Sequence, residues 1–142
     1  MAKIARFEDI EAWKVARVLA NQVYDLSDKG AFSRDLGLRD QMRRAGVSIL
    51  SNIAEGFERD GNKEFLQFLS HAKGSAGELR AQSYIAFDRK YVSQPEFDAI
   101  QLRASQISRL LSGLMKYLQG SELSGRKRPN RSEPPSRTSS EA

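Results

Sequence analysis

The chain has 142 residues, 39% of them hydrophobic, with no cysteine and a formal net charge of +5. This length suits one domain with its own core, because a chain of about 150 residues buries roughly two thirds of its unfolded surface. The lack of cysteine excludes a disulfide framework, a thiolate metal site and a cysteine nucleophile. The positive charge permits attraction to a polyanion but does not establish it.

The N-terminal segment becomes charged within its first nine residues, too early for the apolar core of a signal peptide. No run of 18 or more apolar residues follows, so no transmembrane helix is predicted. We therefore expect a cytoplasmic protein that does not enter a membrane.

The first half of the chain predicts two amphipathic helices. The first extends from about Glu8 to Ser27, and Gly30 falls where the glycine that ends a helix belongs. The second extends from about Leu36 to Phe57. Each carries a main apolar stripe at helical spacing, with further apolar residues beside it.

The second half predicts two helices with a sharper periodicity. The third extends from about Asn62 to Arg89 and the fourth from about Gln94 to Leu118, and apolar residues recur along both in alternating steps of three and four. This period of 3.5 residues is typical of knobs-into-holes packing. A capping box marks the start of the fourth helix, and its two residues are Ser93 and Glu96.

Four helices with short links predict an all-α, antiparallel up-down-up-down four-helix bundle over residues 1–118. Residues 119–142 are rich in Ser, Pro and Arg, and Leu123 is their only large apolar residue. Because this segment cannot bury enough surface to offset its ordering entropy, we expect it to be a disordered tail. It carries five basic and three acidic residues, so part of the positive charge lies outside the bundle.

Small and apolar residues in unusual places indicate a second buried surface. Four glycines lie inside predicted helices, where each costs about 1 kcal/mol against alanine, so we expect a close backbone approach inside the bundle or at a subunit contact. They are Gly46, Gly74, Gly77 and Gly113. Large apolar residues also lie off the main stripes, which favours an oligomer over a monomer with a broad core. These are Leu50, Phe57, Leu102, Leu110 and Met115.

Residues with catalytic potential are scarce. His71 is the only histidine, which excludes a carboxylate-bridged di-iron site, because that site needs Glu-x-x-His pairs on two helices. Glu55 has apolar neighbours and is the best candidate for acid–base chemistry, but Glu55 and nearby Asn52 more often serve as structural hydrogen-bonding residues. No phosphate-binding glycine loop or nucleophile–base pair is found. We expect no enzyme activity, no metal and no cofactor.

Basic residues around the second helix carry the remaining functional signal. They are Arg39, Arg43, Arg44, Arg59 and Lys63. Acidic residues are interleaved with the first three, which fits either a solvated face with local ion pairs or a surface that contacts phosphates. In an oligomer the same patch is repeated in every subunit, which strengthens weak binding.

Several stretches resemble a known family. The longest is Gln-Met-Arg-Arg-Ala-Gly-Val-Ser-Ile-Leu-Ser-Asn-Ile-Ala-Glu-Gly at residues 41–56, and shorter ones lie at residues 7–13, 62–69, 74–79 and 107–115. Over about residues 4–118 the chain resembles the small bacterial four-helix-bundle proteins first named for open reading frames in intervening sequences of 23S rRNA genes. One departure is Leu50, where the family usually has a proline that would kink the helix.

The resemblance implies a cytoplasmic bundle that assembles as a ring, typically a homopentamer, without enzyme activity. Related members are accessory proteins of reverse transcriptases in diversity-generating retroelements and bind nucleic acid through basic surfaces. The resemblance therefore implies two kinds of partner, which are RNA or DNA and a reverse transcriptase or another protein. Arg43 and Arg44 match the family's Arg-Arg pair. Its Asn-Ile-Ala-Glu-Gly segment is matched by Asn52, Glu55 and Gly56, which we expect to be structural or at an oligomer interface.

Two functional hypotheses follow. The first is a non-enzymatic oligomeric scaffold that binds RNA or DNA by phosphate contacts, so that its affinity falls steeply with salt. The alternative is a protein–protein interaction module with no nucleic-acid role, in which the apolar residues off the main stripes are the anchors.

Overall fold

The regular secondary structure of the described residues, 4–123, is all helical in the computed structural model, with side-chain detail up to residue 120. A 3-10 turn at Phe7–Asp9 precedes five α-helices in this range. They are α1 (Glu11–Ser27), α2 (Gly30–Arg34), α3 (Leu36–Glu58), α4 (Asn62–Asp88) and α5 (Gln94–Leu123). The prediction of an all-α bundle is confirmed.

The four long helices are antiparallel to their neighbours. α1 packs on α3, α3 on α4 and α4 on α5, and α5 packs back on α1 to close the bundle. The Asn62 side-chain amide, at the start of α4, donates to the carbonyl of Leu118 near the end of α5 (3.5 Å). At the other end the hydroxyl of Tyr91, after α4, donates to the carboxylate of Asp35, just before α3 (2.9 Å). These contacts give the up-down-up-down order.

The core consists of the apolar stripes that the sequence predicts. Each fully buried aliphatic side chain stabilises the fold by roughly 1.5–3 kcal/mol relative to exposure. The largest fully buried aliphatic residues are Leu19, Val23, Met42, Ile49, Ile53, Leu69, Leu79, Ile100, Ile107 and Leu111. The long helices are therefore held mainly by this shared interior.

α2 is a fifth helix that the sequence does not predict. Gly30 was expected to end the first helix, but it begins α2 with a positive φ of +51°, after α1 has ended at Ser27. Phe32 is buried, and its ring stacks on Tyr91 with 5.1 Å between the ring centroids. Five residues are too few to show a helical period in the sequence, so α2 depends on this tertiary contact.

Two helix boundaries also differ from the prediction. α1 begins at Glu11 rather than Glu8, because Ile10 has an extended backbone that separates the helix from the preceding 3-10 turn. α5 continues five residues past Leu118, since Gly120 weakens a helix without breaking it. Residues 124–142 of the predicted tail lie outside the described residues.

The residues that lie off the main stripes differ in their burial. Phe57 is buried and packs edge-on against Phe65 with centroids 6.0 Å apart, so it belongs to the core and its assignment to a second surface is wrong. Leu50, Leu110 and Met115 are half-buried against the core. Leu102 is 66% exposed, which leaves it available to a partner.

Side chains cap the starts of α5 and α3. At the start of α5 the backbone N–H of Ser93 donates to the Glu96 carboxylate (2.7 Å), and the Glu96 N–H donates to the Ser93 hydroxyl (3.3 Å). This is the predicted capping box. At the start of α3 the Asp35 carboxylate accepts from the N–H of Leu38 (3.1 Å).

Asp35 gives the fold a pH dependence at low pH. Its hydrogen bonds from the Leu38 N–H and the Tyr91 hydroxyl, helped by the nearby charge of Arg89, lower the pKa of the Asp35 carboxyl below its ordinary value of 3.8. A carboxyl with a lower pKa in the folded chain stabilises the fold above its unfolded pKa, and this contribution is lost as the pH falls through the folded pKa.

We expect Asp35→Asn to lose less stability than the parent chain between about pH 5 and about pH 2, because asparagine can still cap the helix but carries no titrating charge. Urea unfolding at a series of pH values measures this difference. Asp60→Asn, at an exposed turn position, is the control and should follow the parent. Parallel curves for the parent and Asp35→Asn would contradict the assignment.

Candidate nucleic-acid interface

The five basic residues from the sequence form two groups at opposite ends of α3. Arg39, Arg43 and Arg44 lie in its first turns, whereas Arg59 and Lys63 lie at and beyond its last turn. From Arg44 to Arg59 the chain rises about 22 Å at 1.5 Å per residue. The structure therefore brings the first three together and leaves the other two separate.

Arg39 and Arg43 hold α3 against the corner between α1 and α2. Arg39 donates to the carbonyl of Ser33 (3.2 Å) and to the carboxylate of Asp40 (3.1 Å). Arg43 donates through Nε to the hydroxyl of Ser27 (2.8 Å), and its Nη2 lies 3.8 Å from the carboxylate of Asp28. Each guanidinium is thus partly neutralised by a neighbouring acid.

Arg44 differs from its two neighbours. It is exposed, and its side chain makes no hydrogen bond or ion pair within residues 4–120. It borders an open cleft between α1 and α3, which we call the α1–α3 groove. The groove is lined by Tyr24, Asp40, Arg43, Arg44, Val47 and Ser48. Because the carboxylate of Asp40 is paired with Arg39, Arg44 contributes a positive charge that no ion pair neutralises among the side chains the structure describes.

Arg59 is engaged with acids at the other end of α3. Its Nη2 donates to Glu55 (2.9 Å), its Nη1 lies 3.8 Å from Glu64, and its guanidinium carbon lies 5.0 Å from the Phe68 ring centroid. The hydrogen bond to Glu55 raises the pKa of Arg59 above its ordinary value. A phosphate would have to displace both carboxylates, so Arg59 is a poorer anion contact than Arg44. Lys63 is exposed there.

Asn52 and Gly56 have roles in the contact between α3 and α4. The Asn52 side chain donates to the carbonyl (2.8 Å) and hydroxyl (3.0 Å) of Ser48, whose hydroxyl lies 2.9 Å from that of Ser75 on α4. At Gly56 an added Cβ would lie only 2.6 Å from the Cβ of Phe68, so the two helices touch closely. Both residues make contacts within the protomer, and the expectation that they are structural or lie at an oligomer interface stays a prediction.

Glu55 is not in the apolar setting that the sequence suggested. Its side chain is 54% exposed and pairs with Arg59 on the surface. The expectation fails because Ile53 faces the core while Glu55, two residues later, has turned to the outside of the helix. Glu55 and Arg59 therefore form a surface ion pair one helical turn apart.

His71 is exposed, with its ring centroid 6.4 Å from that of Phe68. No group of three or more histidine or acidic side chains in the described range could hold a metal ion. None of the helices in that range is both long and apolar enough to cross a bilayer.

Sequence reasoning missed the aromatic residues beside the arginines. The Arg43 guanidinium carbon lies 4.6 Å from the ring centroid of Tyr24, and that of Arg17 lies 5.9 Å from the ring centroid of Trp13. Trp13, Arg17 and Tyr24 recur at helical spacing along α1. This spacing shows in the sequence that the three residues share one face of α1. The sequence does not show that Tyr24 contacts Arg43, because Arg43 lies on another helix.

Comparison with known proteins places this fold in a family. The 23S rRNA-intervening sequence protein family matches residues 8–113. A solved structure of a protein of unknown function from the S23 ribosomal protein family of Bacteroides thetaiotaomicron VPI-5482 is similar, with a TM-score of 0.68 and 19% identity over 74% of this chain and 95% of that chain. No curated protein matches the chain. The match covers most of the bundle, and the chain belongs to the 23S rRNA-intervening sequence protein family.

Proposed function

We propose that the protein is a cytoplasmic, non-enzymatic oligomer that forms a ring, as a homopentamer, and binds RNA or DNA through phosphate contacts at the α1–α3 groove. The observation that carries the nucleic-acid part is Arg44, an exposed arginine without an acidic partner in the described structure, beside a second arginine that is held in place. Membership of a family named after rRNA intervening sequences supports it.

The charge balance at the groove defines what each arginine can contribute. Arg39 pairs with Asp40 and Arg43 lies beside Asp28, so these two charges are largely compensated. Arg44 is left to attract phosphate oxygens, and one such contact per chain gives weak binding. A ring repeats the contact around its circumference, and several weak contacts on one strand then act together.

Binding should weaken steeply as salt increases, because each phosphate contact releases condensed counterions. Fluorescence anisotropy with a labelled RNA, measured over a range of salt concentrations, tests this. Arg44→Gln should weaken binding and lower the salt slope by about 1 for each subunit that contacts the strand. Arg59→Gln removes the same charge from an ion-paired arginine and should change little. If the parent chain does not bind RNA or DNA at low salt, the proposal fails.

The oligomeric part rests on residues that the single chain does not use. A Cβ added at Gly74, Gly77 or Gly113 would meet no atom within 4 Å, so no contact inside the protomer requires these helix-interior glycines. Exposed apolar residues accompany them on α4 and α5. They are Ile85, Leu102 and Tyr117.

Light scattering measures the assembly directly. A homopentamer should give five times the chain mass of 16.0 kDa. A mass of 16.0 kDa at working concentrations would refute the ring, whereas another multiple would correct the number of subunits.

The second candidate function is a protein–protein interaction module. Its support is the exposure of Leu36 and Leu102, since large apolar side chains in contact with water are typical anchors for a partner. The partner would be a reverse transcriptase or another protein. An oligomer that captures a protein after nuclease treatment, but does not bind RNA or DNA at low salt, would favour this candidate.

A further inference from the structure

α1 carries two aromatic–arginine pairs along one edge. Arg17 covers Trp13, and about two turns beyond Arg17 the ring of Tyr24 is covered by Arg43 of α3. Between them lies Ala20, whose Cα would be 3.4 Å from a Cβ added at Gly46 of α3. This edge of α1 therefore borders α3 at Ala20, and the Tyr24–Arg43 pair joins the two helices beside it.

The ring of Tyr24 is held in place yet open to solvent. Arg43 is fixed by the Ser27 hydroxyl at 2.8 Å, and its guanidinium carbon lies 4.6 Å from the centre of the tyrosine ring. The tyrosine nevertheless remains 43% exposed. A flat aromatic surface that is fixed by an arginine and partly uncovered is suited to stack on another planar group.

Uncompensated positive charge flanks this ring. Arg44 borders the groove with Tyr24, and Arg17 lies on α1 about 10 Å from Tyr24 along the helix axis. Neither arginine makes an ion pair within the described side chains. The nearest acids of the groove, Asp40 and Asp28, face Arg39 and Arg43. Asp25 lies outside the groove, on the outer face of α1 with Lys14 and Arg17.

We propose that the α1–α3 groove binds an unpaired nucleotide, with the base stacked on Tyr24 and a flanking phosphate on Arg44. The ligand class is therefore single-stranded RNA or DNA rather than duplex. In a duplex the base faces are stacked on one another, so only a single strand can present a face to Tyr24. This inference rests on the proposed nucleic-acid binding at the same groove and adds the form of the strand.

The sharpest test compares one strand in two forms. A labelled oligoribonucleotide without self-complementarity is titrated with the full chain at low salt, alone and annealed to its complement, and anisotropy is recorded. The single strand should bind more tightly. Tyr24→Ala should weaken single-strand binding about tenfold or more and leave duplex binding unchanged, because only the stacking contact is removed.

Two further variants separate stacking from other effects. Tyr24→Phe keeps the ring and should bind like the parent, since the Tyr24 hydroxyl makes no hydrogen bond among the described residues. Tyr84→Ala removes a tyrosine of similar exposure from α4 and should bind normally. Loss of binding in Tyr24→Phe as well as Tyr24→Ala would contradict a stacking role.

The outcomes distinguish this inference from the function on which it rests. Unchanged single-strand binding in Tyr24→Ala, together with weaker binding in Arg44→Gln, would overturn the stacking site while the proposed function stands. Equal affinity of the parent chain for both forms of the strand would also overturn it. If the parent binds neither form, both proposals fail.

Discussion

Replacing Gly56 with alanine should destabilise the protein by about 2 kcal/mol or more, measured by urea unfolding. The added Cβ would lie 2.6 Å from the Cβ of Phe68 and 3.0 Å from Cδ1 of Phe65. The Cβ of Phe68 is attached to the backbone and cannot rotate away, so α3 and α4 would have to separate. That cost exceeds the gain of about 1 kcal/mol that alanine brings to a helix.

Gly37→Ala is the matched control, because the same change is made within α3 at a position where the new Cβ would be in ordinary contact, 3.9 Å from Oδ1 of Asp35. It should stabilise the chain by up to about 1 kcal/mol through helix propensity alone. The two changes in free energy of unfolding need not be equal in size. Similar destabilisation at both positions would contradict the close approach at Gly56. A fall in assembled mass for Gly74→Ala would place Gly74 at the subunit contact.

Phe32→Ala should cost about 3–5 kcal/mol, the second large effect that we expect. Phe32 is 1% exposed and is the only buried residue of α2, and its ring stacks on Tyr91 between α4 and α5. Alanine would leave a cavity under the corner where three segments meet. Chemical denaturation measures the loss in free energy of unfolding.

Leu36→Ala provides the control for this corner. Leu36 is 58% exposed at the start of α3, and surface substitutions of this kind usually change stability by about 0.5 kcal/mol or less. If Phe32→Ala cost no more than Leu36→Ala, α2 would not be anchored by Phe32.

The same corner supports the candidate interface. The hydroxyl of Ser27 and the carbonyl of Ser33, which hold Arg43 and Arg39, lie on either side of the link between α1 and α2. Phe32 fixes α2 against the bundle, so its loss should also loosen these arginines. A folded Phe32 variant with weaker RNA binding would therefore be consistent with the proposed function and would not by itself define a contact residue.

Adjacent arginines in the sequence have different roles in the structure. Consecutive residues of a helix point about 100° apart, so Arg43 turns toward α1 while Arg44 points away from the bundle. In the sequence they are adjacent and were predicted to act together. Only the fold shows that Arg43 positions Tyr24 and that Arg44 has no ion-pair partner within residues 4–120.

Much of the fold could be predicted because its signals are local. The steps of three and four in α4 and α5, and the capping box of Ser93 and Glu96, act within one helix and need no partner. The end of α5 was missed because Gly120 only lowers helix propensity, and nothing local ends the helix there.

By itself the sequence determined four long helices, their antiparallel order and the residues of their common core, since helical periodicity and short links are properties of contiguous chain. The tertiary structure alone decided the features that join separate helices. Gly56 of α3 lies against Phe68 of α4, and Arg43 of α3 lies over Tyr24 of α1. Phe32 stabilises α2 by stacking on Tyr91. Spacing along one helix shows which residues share a face, whereas the side chain that lies opposite depends on how two helices pack.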